Sequence, residues 1–456
     1  MPNDASFVHI FDINSLQKYK NDKIMAVYSK IWKQNVPDNL QKYILKTYKN
    51  SGINAAYRTY SFGKNSVNKK ENYTTWIFHL DNEKLFDRFI RNMPNNNYGI
   101  KSRNGLYYSY LNEKFLVLWG NKVAWIMMSE TNKKASQLVN QIFKLKEMQN
   151  SKTLKSKNIA FQNLIKKKLD VGIWLNWEQQ NNDLVTYIKN TTGISFDKKD
   201  TYITLDWQLD SLKKLETNIK IYPEIRSLAN FDELFANDLD KNMIQAIPKD
   251  SLLGVWNWNL KKKGFENLQS TWNSQQWWEK TLTLKGFSYQ KWFDIIDGET
   301  IYFERENKKG IPQTAWGIKV KNKALLEVAF KQLEKENEMQ KLDNQNNIYL
   351  WKKIKYYLII NDKIIWVTNS LKLAITLQKN KTSLNNTINI PQNVSNWGFI
   401  RPNASLYVPN NELAIKNNQT LYWYILPVKQ EIFDFKQVIQ LENNEDFWEN
   451  VNLFLK

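Results

Sequence analysis

Residues 74–86 read Thr-Thr-Trp-Ile-Phe-His-Leu-Asp-Asn-Glu-Lys-Leu-Phe, and 240 positions later residues 314–326 read Thr-Ala-Trp-Gly-Ile-Lys-Val-Lys-Asn-Lys-Ala-Leu-Leu. Each copy begins with alternating side chains, which is typical of a β-strand. A polar pair, Asp81-Asn82 in the first copy, then precedes apolar residues at helical spacing. The two copies predict the same strand–helix unit in each half of the chain, and therefore an internal duplication.

A second series of matches follows at an offset of 241. Trp125 corresponds to Trp366, and Lys122 corresponds to Lys363. In the first copy, Gly120-Asn121 has the residue types of a two-residue hairpin loop. Such loops join antiparallel strands, so they argue against a purely parallel sheet.

These matches predict an α+β fold with two tandem homologous domains, each a mainly antiparallel sheet with helices packed on one face. The predicted domains are residues 1–229 and 246–456, and residues 230–245 are predicted to be a helical linker. Near the start of the second domain, Trp256-Asn257-Trp258-Asn259 is matched to Phe11-Asp12-Ile13-Asn14.

The composition excludes several chemistries. The chain has no cysteine, which rules out disulfides, thiolate metal sites and cysteine nucleophiles. Its two histidines are His9 and His79, and the second copy has Lys319 in place of His79. A histidine metal site and most catalytic triads are therefore hard to build. No apolar run approaches the roughly 18–20 residues of a membrane span.

The formal charge of +20 arises from 65 Lys and Arg against 45 Asp and Glu. Such an excess favours contact with polyanions. The basic residues are nearly all lysine, whereas bidentate phosphate or guanine recognition prefers arginine. Abundant Lys, Asn and Ile also fit the codon bias of an AT-rich genome, so we do not expect nucleic acid to be the partner.

Two groups of acids could suggest metal binding or catalysis. Asp294, Asp297 and Glu299 lack the ligand spacing of a calcium loop, and Asp-Gly before a strand is typical of a turn.

Asp81, Glu83 and Asp87 could be the paired acids of a glycoside hydrolase. The first two fall in the first turn of a predicted helix, where carboxylates favour the helix dipole. The second copy has Lys321 and Lys323 in their places. No catalytic residue, metal ligand or cofactor is predicted.

The densest aromatic stretch lies in the second half, with Trp256, Trp258, Trp272, Trp277, Trp278 and Trp292. Its lysines at 261–263 favour a platform on which sugars or bases stack. The alternative is a core of large side chains under helices, since Trp277 and Trp278 cannot both face one side of a helix. The candidate ligand-binding residues are Trp256, Trp258, Lys261, Lys262 and Lys263.

Three short motifs carry a family resemblance: Ile247-Pro248-Lys249-Asp250, Gly286-Phe287-Ser288 with Asp297-Gly298-Glu299, and Asp170-Val171-Gly172-Ile173-Trp174. In these motifs the chain resembles an exported lipoprotein family of Bacteroidota, the domain-of-unknown-function 4836 type. The resemblance implies export to the periplasm or cell surface and a lipid anchor on an N-terminal cysteine. This chain lacks that cysteine, so membrane attachment is expected only through an anchor that would precede Met1.

We expect a non-enzymatic binding or scaffold protein of the bacterial envelope, with a protein partner there. One alternative is a polyanion or glycan binder that uses the lysines and tryptophans. The second alternative is a hydrolase with an unrecognised carboxylate site. The resemblance carries no site residues to any of these functions.

Overall fold

Two units make up the part of the chain that the structure, a computed structural model, describes. The first unit contains the described residues up to 222, and the second contains those from 239 to 441. The described residues are 1–12, 15, 43, 47, 50–54, 56–64, 72–94, 99–111, 115–129, 135–148, 152–180, 199–211, 214–222, 239, 241–248, 251–259, 261, 291–307, 309–343, 347–361, 363–379, 394, 396–401, 419–429 and 432–441.

The first unit is an antiparallel sheet. Its described strands are β1 (Phe7–Phe11), β2 (Thr59–Lys64), β3 (Tyr73–His79), β4 (Lys101–Arg103), β5 (Leu106–Tyr110), β6 (Phe115–Gly120), β7 (Val123–Ser129), β8 (Val171–Asn176), β9 (Tyr202–Ser211) and β10 (Lys214–Tyr222). Across the sheet they run β4-β5-β6-β7-β3-β2-β1-β8-β9-β10, with every neighbouring pair antiparallel.

Its described α-helices are α1 (Glu83–Arg91), α2 (Ala135–Lys146), α3 (Leu154–Lys157) and α4 (Ile159–Lys166), and Trp177–Gln179 forms a 3-10 turn. Helix α1 begins after Asn82, whose side chain accepts hydrogen bonds from the N–H groups of Lys84 and Leu85. This is the N-cap that the polar pair before the helix predicts.

The second unit has ten described strands: β11 (Leu252–Asn259), β12 (Ile296–Glu306), β13 (Pro312–Val320), β14 (Met339–Asp343), β15 (Ile348–Trp351), β16 (Tyr356–Asn361), β17 (Ile364–Thr368), β18 (Asn396–Ile400), β19 (Gln419–Lys429) and β20 (Ile432–Leu441). They run β14-β15-β16-β17-β13-β12-β11-β18-β19-β20, again antiparallel throughout. The protein is therefore α+β, with mostly antiparallel sheet.

The described helices of this unit are α5 (Lys241–Gln245), α6 (Trp292–Ile295), α7 (Lys323–Lys335) and α8 (Leu371–Lys379). Helix α5 lies in the predicted linker, and Met243 and Ile244 are buried in the core of the second unit. Residues 230–238 and 240 of that linker lie outside the described residues. Among the described helices, none combines the length and apolar character needed to cross a membrane.

Helices cover both faces of the second sheet, so the prediction that they pack on one face is wrong there. Neighbouring strand residues point to opposite faces. Ile364 clusters with the apolar residues of α8, whereas the next residue, Ile365, clusters with those of α7. In the first sheet, every residue of β6 is buried. Apolar runs without alternation are typical of strands covered on both sides.

The hairpin between β6 and β7 turns one residue later than predicted. Gly120 still pairs with Val123, and the loop residues are Asn121 and Lys122, with φ of 54° and 60°. A tight hairpin turn of this type needs positive φ at both loop positions.

The central strands of the two units pair in the same way. Trp76 lies opposite Ile126, and Trp316 lies opposite Val367. At the end of the repeated strand, the N–H of Leu80 donates to the carbonyl of Lys122 at 2.8 Å.

The corresponding bond in the second unit runs from Val320 to Lys363 at 2.7 Å. Helix α7 also begins after an asparagine, since the side chain of Asn322 accepts from the N–H of Leu325.

Candidate functional site

The structure places part of the predicted ligand-binding set. Trp256 and Trp258 both lie in β11, and the side chain of Trp256 is half-buried. Lys261 is exposed just beyond the strand. Lys262 and Lys263 lie outside the described residues, as do the tryptophans at 272, 277 and 278. Trp292 is buried in the core beneath α7, which is a structural position.

Trp256 belongs to a row of aromatic side chains that crosses three strands. It lies opposite Tyr302 of β12, which in turn lies opposite Trp316 of β13. The rings of Tyr302 and Trp316 pack with centroids 4.7 Å apart at 54°. All three side chains are half-buried. We call Trp256, Tyr302 and Trp316 the aromatic row.

A carboxylate lies beside the aromatic row. Glu304 follows Tyr302 by two residues on β12, so both side chains point to the same face. Glu304 is 0% exposed. Burial raises the pKa of the Tyr302 hydroxyl, and Glu304 and Tyr356 raise it further. The phenol is therefore protonated at neutral pH and can donate a hydrogen bond.

The corresponding row of the first unit has different chemistry. His9 of β1 lies opposite Ser61, which lies opposite Trp76. His9 packs between Phe7 and Phe11, with ring centroids 5.0 Å and 6.3 Å away. Burial lowers the pKa of His9 to about 4, so the imidazole is neutral at physiological pH.

Large and small residues also exchange places between the units. In the first unit Phe7 lies opposite Gly63, and in the second Gly254 lies opposite Glu304. A Cβ atom added at Gly63 would lie 2.6 Å from the Phe7 ring, so the ring covers that glycine. One unit thus has an aromatic ring where the other has a carboxylate.

The predicted acids of β12 form ion pairs. The Nζ of Lys319 lies 3.7 Å from a carboxylate oxygen of Asp297 and 3.6 Å from one of Glu299. One lysine therefore pairs with both acids. Within the described ranges, no group of three or more His, Asp or Glu residues could hold a metal ion.

The acids at the start of α1 also have structural partners. Asp81 accepts from the Asn54 amide, and Glu83 accepts from the N–H of Lys122 at 2.6 Å. Asp87 pairs with Arg91 one helical turn later, at 2.7 Å. The contacts of Asp81 and Glu83 join the start of the helix to neighbouring segments, and the Asp87–Arg91 pair lies within the helix.

The two histidines lie on opposite faces of the first sheet. His9 shares a face with Ser61 and Trp76, and His79 lies three residues beyond Trp76 along β3. Because side chains alternate along a strand, His9 and His79 point away from each other and cannot bind the same metal ion. His79 instead packs against the Tyr57 ring at 4.6 Å.

A buried carboxylate also lies in the first unit. Asp206 of β9 is 0% exposed, pairs with the ammonium of Lys167, and accepts from the Asn218 amide at 2.9 Å. Its side chain therefore has both a cation and an amide donor as partners. Sequence reasoning did not identify Asp206 or Glu304, because each lies in an alternating strand with no distinctive motif.

Comparison with known proteins gives two distant structural neighbours. No family model and no curated protein matches this chain. Crystal forms IV and III of TP0453 align with TM-scores of 0.28 and 0.29 and identities of 9% and 8%. The alignments cover 48% and 52% of this chain, and 76% and 86% of the other. At these values the likeness carries no argument, and the lipoprotein resemblance stays a prediction.

Proposed function

We propose that this chain is a non-enzymatic binding protein of the cell envelope, built from two homologous domains and binding its ligand through the aromatic row. The duplication is supported by the strand order, which is the same in both units. It is also supported by the cross-strand partners of Trp76 and Trp316. Location in the envelope and a lipid anchor rest on the sequence resemblance alone.

Engineered disulfides test the duplication. The pairs His79/Val123 and Lys319/Ile364 are cross-strand neighbours at equivalent offsets. Because the chain has no cysteine of its own, cysteines placed at either pair should form one internal disulfide on oxidation.

The matched controls are His79/Ala124 and Lys319/Ile365, whose side chains point to opposite faces and should remain reduced. Peptide mapping reads out the bond. If a disulfide formed at the pair in one unit but not at the equivalent pair in the other, the proposed duplication would be contradicted.

The aromatic row carries the binding proposal. Trp256, Tyr302 and Trp316 present half-buried rings on one face, and the Tyr302 hydroxyl supplies both a donor and an acceptor beside them. Flat apolar rings next to such a group suit a ligand that has both apolar faces and hydroxyls. A glycan fits this description better than a polyanion, because none of the three side chains of the row is cationic.

Tryptophan fluorescence during titration with cellohexaose, chitohexaose and maltohexaose measures such binding. We expect Trp256→Ala and Trp316→Ala each to weaken the affinity at least about tenfold, which corresponds to roughly 1.4 kcal/mol. The matched control is Trp76→Ala, at the same place as Trp316 in the first unit, and it should leave the affinity unchanged. Equal affinities for all three variants would exclude the row as the binding site.

A further inference from the structure

Helices α3 and α4 belong to a segment of the first unit that contains only basic charges. Between Glu147 and Asp170 the sequence has no acidic residue. The same stretch contains six lysines, namely Lys152, Lys155, Lys157, Lys166, Lys167 and Lys168. We call residues 152–168 the basic helix pair.

Helix α4 presents an outward face that combines lysine with an exposed apolar side chain. Ile159, Gln162, Asn163 and Lys166 follow at i, i+3, i+4 and i+7, so they share one side of the helix. Ile159 is 59% exposed, more than any other large hydrophobic side chain among the described residues. The opposite side is buried and contains Ala160, Phe161 and Leu164.

The basic helix pair is held firmly against the sheet. The side chain of Asn158 accepts from the N–H of Phe161 at 2.8 Å and from the indole of Trp174 at 3.1 Å. At the other end of α4, the guanidinium of Arg58 donates to the carbonyls of Ile165 and Lys167 at 2.9 Å and 2.6 Å. The outward face is therefore pre-formed and requires no folding on binding.

One lysine of the basic helix pair has an acidic partner. Lys167 points inward to Asp206. The other five are exposed, and none has a carboxylate partner in the part of the chain that the structure describes. These five lysines and Ile159 belong to one segment that contains no acidic residue, and such an excess of one sign raises the local concentration of anions.

We propose that the outward face of the basic helix pair binds the surface of a membrane rich in anionic phospholipid. Lysines attract the negative headgroups, and an apolar side chain among them enters the boundary between headgroups and acyl chains. Nucleic acid fits less well, because an isoleucine gives no stacking surface for bases and lysine gives no bidentate contact. This contact is independent of the aromatic row and of any lipid anchor.

Co-sedimentation of the full chain with vesicles tests the proposal. Vesicles of phosphatidylcholine with about one-third phosphatidylglycerol should bind the protein, and pure phosphatidylcholine should not. Raised salt should release it, since screening shortens the range of the attraction. Binding that is equal on both vesicles, or absent on the anionic ones, would overturn the proposal.

Two variants locate the contact. Each lysine near an anionic surface contributes about a fivefold change in partition, so the triple change Lys155→Gln, Lys157→Gln and Lys166→Gln should weaken binding roughly 100-fold. Ile159→Asn should weaken it about fivefold or more, because it removes an inserting apolar side chain without changing the charge.

Helix α7 supplies the matched controls. Lys323, Lys331 and Lys335 are exposed there beside Glu327, and Val328 is 56% exposed. The triple change of these lysines to Gln removes the same net charge, and Val328→Asn removes a similar apolar side chain. Both control variants should bind anionic vesicles within about twofold of the unchanged protein.

An equal loss in the α7 controls would mean that net charge alone drives binding, and the proposal would fall. It would also fall if duplex DNA displaced the protein from vesicles at equal phosphate concentration, since that would favour a nucleic-acid surface. Circular dichroism of every variant confirms that the exposed substitutions leave the fold intact.

Discussion

The same place in the two sheets is filled in different ways. Ile77 lies opposite Trp125 in the first unit, and Gly317 lies opposite Trp366 in the second. Trp125 is half-buried, whereas Trp366 is 0% exposed. A Cβ atom added at Gly317 would lie 2.7 Å from the Trp366 ring. The absence of a side chain at 317 therefore makes room for the indole, and one register supports two different cores.

The largest expected effect follows from that difference. Trp366→Ala should lower the free energy of unfolding of the second unit by about 3–5 kcal/mol, the usual cost of removing a buried tryptophan. Trp125→Ala should cost less, because its indole is already partly in water. Hydrogen exchange read separately in β17 and β7 measures both units in the full chain. Equal losses of protection would show that the two indoles are equivalent after all.

A smaller effect concerns the pH dependence of stability, which should differ between the two units. The folded-state pKa of His9 is lowered from 6.5 to about 4, so the unfolded chain binds more protons between those values. The stability that neutral His9 contributes is present above pH 6.5 and is lost as the pH falls towards 4. At pH 5 the loss in the first unit should reach up to about 2 kcal/mol.

The control for that prediction is His9→Phe, which keeps the aromatic packing and cannot titrate. The melting temperature should decrease more between pH 7.5 and pH 5 for the unchanged protein than for the variant. The same difference is not expected in the second unit, where Trp256 lies in the place of His9. Parallel falls for both proteins would show that carboxylates, not His9, set the pH dependence.

The smallest effect concerns the two helix starts. Asn82 accepts two N–H groups and Asn322 accepts one. Replacing an N-cap asparagine with alanine costs about 1 kcal/mol. We expect Asn82→Ala to destabilise its unit slightly more than Asn322→Ala does, as measured by exchange in α1 and α7. The reverse order would mean that packing, and not the cap, dominates at these helix starts.

The repeat predicted the centre of each sheet better than its margins. Offsets of 240 and 241 place Trp76 with Trp316 and Trp125 with Trp366, and these residues hold corresponding places in the strand pairing. Trp256 was matched to Phe11, whereas its partners place it with His9. Bulges in β11 and β12 shift the register there, and such irregularities leave no regular spacing in the sequence.

Two other features were missed although signals existed. Strand β4 was not predicted, yet Asn104-Gly105 separates it from β5 and both residues have positive φ, as a tight hairpin requires. The sequence interpretation also did not predict that both faces of a sheet are covered, although the continuous apolar run of β6 indicates it.

The candidate site was only partly predictable. Composition identified Trp256, but Tyr302 and Trp316 become its neighbours only through the strand order. Glu304 could not be found at all, because a carboxylate in an alternating strand predicts solvent exposure. Its burial depends on what the rest of the fold places above it.

Among the described strands, β4 lies at one edge of the first sheet, and this position has a consequence for self-association. All three residues of β4 are exposed, and two of them are Lys101 and Arg103. A strand edge has unpaired backbone groups that can template the addition of another chain, and charged side chains on a short edge strand oppose such growth. If the β4 edge of a second copy paired with this one, the basic side chains of the two copies would repel each other. This repulsion opposes aggregation through that edge.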